Sequence, residues 1–317
     1  MEILALKRDS FEKYMKEFAA LYTLCFHVPM EEDEVRWRYL GNPNKEVLSC
    51  VAIDQGKLVA NYSASPINLF KNGRKVKAAL SLNTMTHPDY AGQGLFVKLA
   101  SMVYQNMQED GYKLVMGFPN NISHRTFVTK LGWNDICTMP TLELELEGCK
   151  VKDLRGVYEV IEDRDYKLDY SLCRPGPDKI AVDKDQGYLW WRYRDNPAVS
   201  YRNFVIVKPD KKTVSSRIMI KEFRNRVNIV DAYYANEEEE KALINFAVGF
   251  GVKKDKELLT CWCPLQSGEH IILESYGFKQ AAPVTYFGAK ILNSAAEDEA
   301  YFKESNWIIN MSDDNVY

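Results

Sequence analysis

The chain has 317 residues, 46% hydrophobic and 27% charged, which is long for one hydrophobic core and ordinary for a globular protein. Its net charge of -3 gives no basic footprint, which argues against nucleic-acid binding. No stretch approaches the ~18 apolar residues of a membrane span, and the first residues lack the continuous apolar region of a signal peptide. We therefore expect a cytoplasmic enzyme or binding protein.

Seven cysteines are scattered along the chain, which argues against a disulfide framework. The only close pair is Cys261 and Cys263, whose spacing places both thiols on one face of a strand. A metal site would need further ligands nearby. We therefore interpret the pair as small buried side chains and expect no metal.

The first half of the sequence predicts alternating helices and strands. Apolar residues at helical spacing predict a helix over 10–26, and an acidic start with a Gly-Pro stop predicts a short helix over 31–43. Two hairpins follow, with turns at QGK (55–57) and NGRK (72–75). The second turn leads into a long strand that we expect to end at His87.

The stretch from there to Trp133 is the most informative. A loop containing Gly92 and Gly94 opens a helix that stops at Gly111. The segment YKLVMGF then predicts a buried strand, and a helix closed by Gly132 follows it. The segment TLELELE alternates like a strand with one face in water.

The second half repeats this order of elements. WRYLGNP begins at Trp37 and WRYRDNP at Trp191, 154 positions apart, whereas the strand–Pro–helix–Gly frame recurs at Pro119 and Pro264, 145 positions apart. The second copy is therefore about nine residues shorter between these landmarks, where the first copy carries its glycine loop. We predict a duplication, with domains at 1–149 and 150–317, rather than a coincidence of two loops.

A strand that breaks into Gly-x-Gly and opens a helix can hold a phosphate. The first N–H groups of a helix have no acceptor within it, and glycine lets an anion approach the backbone. The alternative is a plain turn with two glycines. The Rossmann and P-loop patterns are both absent, because the third glycine is missing and no Gly-Lys-Ser/Thr follows.

The segment THPDYAGQGLF, followed by GFPNNISHRTFVTKLGW, resembles the GNAT superfamily of acyl-CoA-dependent N-acyltransferases. The resemblance implies an α/β (α+β) fold with two GNAT-like mixed-sheet units in tandem. It implies that the loop binds the coenzyme A pyrophosphate and that the preceding strand splays from YKLVMGF to admit the pantetheine arm. The family's loop reads R/Q-x-x-G-x-G/A, and Ala91 and Phe96 depart from its first and last positions. The implied acyl-CoA contacts are Thr84, Met85, Thr86, Ala91, Gly92, Gln93, Gly94, Leu95, Phe96, Asn120, Asn121, Ser123 and Phe127.

The repeated WRY..NP and the ending NWIINMSDDN are similar to bacterial tandem GNAT proteins in which only the first copy binds coenzyme A. The second copy lacks the pyrophosphate loop and has four carboxylates, Glu237 to Glu240, in its place. These charges would repel a pyrophosphate, although they also stabilise a helix N-terminus. Both interpretations predict one acyl-CoA per chain, with the second domain helping to form the acceptor cleft.

The resemblance implies that a backbone N–H near Thr84, Met85 and Thr86 binds the thioester carbonyl oxygen. The family's usual acid, a tyrosine on the last helix, falls on Val128, so it is absent here. His124, at the start of that helix, is our candidate acid or base, with a place on the helix surface as the alternative. Because the WRY motif occurs in both copies, we predict a structural role for it. Candidate acceptor contacts are His27, Trp190 and Trp262, with a core position as the alternative for either tryptophan.

We expect the protein to N-acylate a primary amine of a small molecule. The resemblance favours a nucleotide-linked amino sugar, as in dTDP-3-amino-3,6-dideoxyhexose N-acyltransferases, with aminoglycoside, peptidoglycan or thiol-glycoside amines as alternatives. The competing class is a non-catalytic acyl-CoA-binding protein. The missing tyrosine and imperfect loop favour that class, and the intact Gly92-x-Gly94 opposes it. The sequence leaves the acyl group and the oligomeric state open.

Overall fold

A computed structural model describes residues 1–151, 158–265, 267–295 and 298–315. The elements of the first half are β1 (Glu2–Leu6), α1 (Arg8–Phe11), α2 (Met15–Phe26), α3 (Glu32–Val35), β2 (Leu48–Asp54), β3 (Lys57–Lys71), β4 (Arg74–Ser81), β5 (Met85–Thr86), α4 (Leu95–Glu109), β6 (Leu114–Gly117), α5 (His124–Leu131) and β7 (Asn134–Glu145). The elements of the second half are β8 (Val160–Glu162), β9 (Ile180–Val182), α6 (Gln186–Leu189), β10 (Arg202–Val207), β11 (Val214–Phe223), β12 (Arg226–Tyr233), α7 (Glu237–Lys253), β13 (Leu258–Trp262), α8 (Gly268–Ser275) and β14 (Lys279–Ile291). None of the helices in these ranges is long and apolar enough to cross a membrane.

The chain divides into two compact units, each assembled from more than one segment. The first unit comprises Met1–Cys137, Asp195–Ala198 and Tyr286–Glu304, and the second comprises the described residues of Thr138–Arg194, Val199–Thr285 and Ser305–Tyr317. The division that the sequence predicts at 149/150 cuts the chain once, whereas each compact unit takes segments from both halves.

The first unit is a mixed sheet with helices on both faces. Its strand order is β1-β2-β3-β4-β6-β14, with β5 also paired to β3, and only the pairing of β4 with β6 is parallel among these strands. Strand β2 shows how alternation divides the core between the faces. Cys50 and Ala52 pack with α4 and α5, whereas Val51 packs with α1–α3.

The second unit is a similar sheet, in the order β7-β13-β12-β11-β10-β8, with β12 and β13 parallel. Helices α7 and α8 cover one face, where Leu243 and Ala247 pack with Ile218. Cys261 and Cys263 are buried in the same core, as their spacing predicted.

Several predicted elements are confirmed and two are corrected. Both hairpin turns place a residue pair at positive φ, Gln55-Gly56 and Asn72-Gly73, as tight two-residue hairpins require. The single helix predicted over 10–26 is instead α1 and α2 joined by a 3₁₀ turn at 12–14. The long strand predicted over 76–87 was wrong, because β4 ends at Ser81 and β5 begins only at Met85.

The repeated motif has the same backbone in both units. Helix α3 runs directly into a π-helical turn at Arg36–Leu40, and α6 runs into one at Trp190–Arg194. Each boundary recurs at the spacing that separates Trp37 from Trp191. Because π-helical turns are rare, their recurrence at matched positions supports the predicted duplication.

Candidate functional site

The break between β4 and β5 is a bulge, and it lies where the chain stops pairing with β6. Strand β4 runs parallel to β6 only over Ala78–Leu80. Ser81 then pairs with Ala64 of β3, and Met85 pairs with Asn61. Two residues of β3 therefore lie opposite the three residues at 82–84, which is the geometry of a bulge. Beyond Leu80 the chain follows β3 and no longer pairs with β6.

The pairing of β5 with β3 sets the direction of its backbone amides. The His87 N–H donates to the Val59 carbonyl at 2.8 Å, and Met85 is paired with Asn61 in the same antiparallel ladder. Because alternate residues of such a ladder donate to the same neighbour, the Thr86 N–H points away from β3. The Thr84 N–H donates to no described residue of the protein. Thr84 and Thr86 thus offer free donors, whereas Met85 faces β3.

The glycine loop leaves the start of α4 open. Gly92 and Gly94 have φ values of +76° and +72°, in the left-handed region where glycine is favoured. Gly94 precedes the first residue of α4, and no side chain caps the helix. Over Gly92–Phe96, no hydrogen bond within the described chain uses the amide N–H groups. The predicted donor Ala91 is already committed, since its N–H donates to the Pro88 carbonyl at 3.0 Å.

A chain of buried hydrogen bonds fixes α4 to the sheet. The Tyr104 hydroxyl lies 2.9 Å from that of Tyr62, and the Trp133 indole N–H donates to the Tyr104 hydroxyl at 2.9 Å. Phe127 packs on Phe96 and Trp133 and is buried. Its side chain is thus part of the core that holds the loop, although the resemblance implied contact with the cofactor.

The polar residues after β6 form a hydrogen-bonded turn just before α5. The Asn120 side-chain oxygen accepts from the Ile122 N–H and from the N–H and hydroxyl of Ser123, at 2.9 to 3.1 Å. Asn121 is exposed beside them. The Ser123 hydroxyl is therefore used locally. Val128, where the family has tyrosine, is half-buried on the same helix.

His124 is held by two neighbours in the first unit. Its ring stacks on Tyr286 with the centroids 3.8 Å apart and the planes at 6°. Its Nε2 lies 2.8 Å from a carboxylate oxygen of Asp135. The carboxylate favours a proton on Nε2, which leaves Nδ1 as the acceptor of a neutral ring.

Of the three predicted acceptor contacts, His27 lies in the first unit, and Trp190 and Trp262 lie in the second. His27 is exposed in the first unit and ends α2 in the left-handed conformation, with φ of 56°. In the second unit, Trp190 is 38% exposed and donates to the Tyr166 carbonyl at 3.4 Å, whereas Trp262 is buried. Trp262 therefore has the core position that the sequence left as the alternative.

The start of α7 in the second unit is closed, in contrast to that of α4. The Asn236 side chain caps the helix by accepting from the Glu239 N–H at 2.9 Å. The Ser216 hydroxyl accepts from the Ala235 N–H and donates to the Glu239 carboxylate. Side chains of the protein thus take up two of the amides around the start of α7, those of Ala235 and Glu239.

The WRY motif is largely buried in both units. The Tyr39 ring stacks on Phe11 in the first unit. In the second unit the Tyr193 hydroxyl donates to the carboxylate of Asp231 and lies 2.8 Å from the Ser312 hydroxyl. These contacts fit the structural role predicted for the motif.

The buried Asn61 of β3 was not among the predicted site residues. The signal for it in the sequence was the polar run NYSAS in an otherwise apolar strand.

Comparisons with known proteins agree with this geometry. Residues 8–136 match the acetyltransferase (GNAT) domain model. A comparison with curated proteins gives no match.

Among solved structures, a GCN5-related N-acetyltransferase from Anabaena variabilis ATCC 29413 is similar, with a TM-score of 0.68, 12% identity and coverage of 92% of this chain and 73% of that one. A tandem GNAT protein from the clavulanic acid biosynthesis pathway is similar with a TM-score of 0.64 and 11% identity, and the match covers 93% of this chain and 99% of that one. N-myristoyltransferase from Saccharomyces cerevisiae, solved with bound myristoyl-CoA, has a TM-score of 0.63 and 10% identity, with coverage of 93% of this chain and 83% of that one. At these identities the likeness shows the fold, a mixed α/β GNAT fold with two units in tandem. Residues 8–136 therefore match the acetyltransferase (GNAT) domain and have the GNAT fold.

Proposed function

We propose that the chain transfers an acyl group from acyl-CoA to the primary amine of a nucleotide-linked deoxyamino sugar of the dTDP-3-amino-3,6-dideoxyhexose type. The observation that carries the cofactor half of this proposal is the open start of α4 in the first unit. Its free amides, over Gly92–Phe96, lie at the positive end of a helix of 15 residues and suit a pyrophosphate. The closed start of α7 supports one acyl-CoA per chain, bound by the first unit.

The break between β4 and β5 suits the thioester end of the substrate. In our proposal the Thr84 and Thr86 N–H groups donate to the thioester carbonyl oxygen as negative charge develops on it. The amine attacks the carbonyl carbon, the carbon–sulfur bond breaks, and the thiolate takes up a proton. We retain His124 as the candidate acid or base, supported by its fixed ring and free Nδ1. Of the predicted acceptor contacts, His27 and Trp190 are exposed, each in its own unit.

Calorimetric titration with coenzyme A tests the cofactor site. The variant Gly94→Glu places a carboxylate at the start of α4, and we expect it to weaken binding at least about tenfold through charge repulsion. The matched control is Gly73→Glu in the turn between β3 and β4. Gly73 has the same φ of +72°, and a Cβ at either glycine meets no atom within 4 Å. Equal affinities of the two variants would refute the assignment of the loop.

A thiol-release assay with acetyl-CoA then tests the acceptor. The panel contains a dTDP-linked 3-amino sugar, the free amino sugar, an aminoglycoside and a peptidoglycan peptide. We expect kcat/KM to be highest for the nucleotide-linked sugar. A higher value for another amine would reject the proposed acceptor while leaving the cofactor site intact.

A further inference from the structure

Two side chains from outside the bulge hold its middle residue. The Asn61 side-chain amide donates to the Asn83 carbonyl at 3.1 Å, and Arg38 Nη1 donates to the Asn83 side-chain oxygen at 3.2 Å. We call Asn61, Arg38 and Asn83 the Asn83 clamp. Asn83 immediately precedes Thr84, so the clamp acts next to the proposed oxyanion donors.

The orientation of Asn61 is itself fixed. Its side chain is completely buried in β3, and its Oδ1 lies 3.0 Å from the Ser49 hydroxyl and 2.7 Å from the Ser63 hydroxyl. Hydroxyl donors on Oδ1 require the Nδ2 group to point the other way, toward Asn83. A buried amide satisfied on both ends is a rigid anchor for the chain that it holds.

Arg38 brings the repeated motif into contact with the bulge. The residue lies in the π-helical turn after α3, and its Nη2 is 2.8 Å from the Glu34 carboxylate. Both side chains are largely shielded from water, with exposures of 10% and 18%. The carboxylate therefore restrains the guanidinium that reaches Asn83, and a planar group with several donors can serve both partners at once.

We propose that Asn61 and Arg38 are positioning residues that keep the Thr84 and Thr86 amides aimed at the thioester. This inference rests on the proposed oxyanion role of those amides. A bulge adds a residue to one strand, and its loss would shift the pairing of β4 with β3 by one position. A shift of one residue turns every following group to the opposite side, which would direct the donors of β5 toward β3 and away from the substrate. The clamp keeps this shift from occurring.

The test uses acetyl-CoA labelled with ¹³C at the acetyl carbonyl, so it needs no acceptor. Isotope-edited infrared spectra of the bound thioester report how strongly its carbonyl is polarised. In the unaltered protein we expect the carbonyl band to move to lower wavenumber on binding. In Asn61→Ala and Arg38→Met the band should return toward its position in water, with affinity for acetyl-CoA changed less than about threefold because the glycine loop is intact.

The matched control is Asn42→Ala, also in the repeated motif. Asn42 is buried, and its amide donates to the Ser65 hydroxyl and the Pro66 carbonyl of β3, each at 2.8 Å. This variant loses two buried hydrogen bonds on the same strand away from the bulge, so the shifted carbonyl band should be retained. With an acceptor from the panel, kcat should fall about 10- to 100-fold in the clamp variants and stay near normal in the control.

The outcomes separate the two proposals. If the unaltered protein binds acetyl-CoA without a shift of the carbonyl band, the oxyanion role fails and the clamp proposal fails with it. If the unaltered protein shows the shift and folded Asn61→Ala and Arg38→Met retain it, the oxyanion role stands and the clamp proposal is refuted. Thermal unfolding of each variant establishes that it is folded, and Arg38→Met, which keeps a long side chain at this position, provides the test if Asn61→Ala does not fold.

Discussion

Gly94 and Asn236 each immediately precede a long helix, yet only Asn236 caps its helix with a side chain. The difference predicts one coenzyme A per chain. Titration should give a stoichiometry near one, and Glu237→Gln combined with Glu238→Gln should add no second site. The reason is that Asn236 still accepts from the Glu239 N–H, and Ser216 from the Ala235 N–H, when the exposed charges are gone. Two equivalents bound by the unaltered chain would contradict this prediction.

The hydrogen bond from Trp133 to Tyr104 predicts a stability effect on the helix that carries the loop. In Tyr104→Phe the buried indole N–H loses its acceptor, which should cost about 1–3 kcal/mol of unfolding free energy. Urea denaturation measures this. The control is Tyr14→Phe, because the Tyr14 hydroxyl makes no hydrogen bond within the described chain. Equal losses in both variants would show that the Tyr104 hydroxyl has no special role.

The contact between His124 and Asp135 predicts a change in rate. In His124→Phe the ring can still stack on Tyr286 while the proton-transferring nitrogens are removed, so kcat should fall about 10²-fold with little change in the KM for acetyl-CoA. Asp135→Asn, which keeps the imidazole, should retain more activity. An unaltered kcat in His124→Phe would leave the ring with a packing role alone.

Features of the first unit that depend on neighbouring residues could be predicted from the sequence. Asn-Gly at 72–73 and Gly94 before α4 require particular backbone conformations, and the structure has both. The bulge at 82–84 was missed because its cause is distant in sequence. Asn61 and Arg38 hold it from β3 and from the turn after α3, and nothing within the strand itself signals the extra residue.

The pairing of the last strands was also beyond prediction. The residues Thr141–Glu145 of β7 pair with β13, and Gly288–Ile291 of β14 pair with β6. The sequence of neither strand specifies which half of the chain supplies its partner. In the same way, the aromatic character of Phe127 suits a cofactor contact and a core equally well, and only packing against Trp133 decides between them.

The second unit carries a buried acid that should make stability depend on pH. Glu240 is 5% exposed, and its Oε1 has no hydrogen-bond partner in the part of the chain that the structure describes. Burial, reinforced by the carboxylates of Glu269 and Glu237, raises the pKa of Glu240 from its usual 4.5 to about 7. The folded state favours the protonated form of Glu240. Its contribution to the free energy of unfolding is therefore fully present below pH 4.5 and is lost as pH rises through about 7.

The variant Glu240→Gln tests this directly, because glutamine keeps the neutral form at every pH. Urea denaturation at about pH 5 and about pH 8 should show that the variant loses less stability between the two values than the unaltered protein does. Glu238→Gln, at a side chain 72% exposed on the same helical turn, is the matched control and should leave the pH dependence unchanged. An identical loss in Glu240→Gln and the unaltered protein would mean that the Glu240 carboxyl ionises in the folded chain as readily as in the unfolded one.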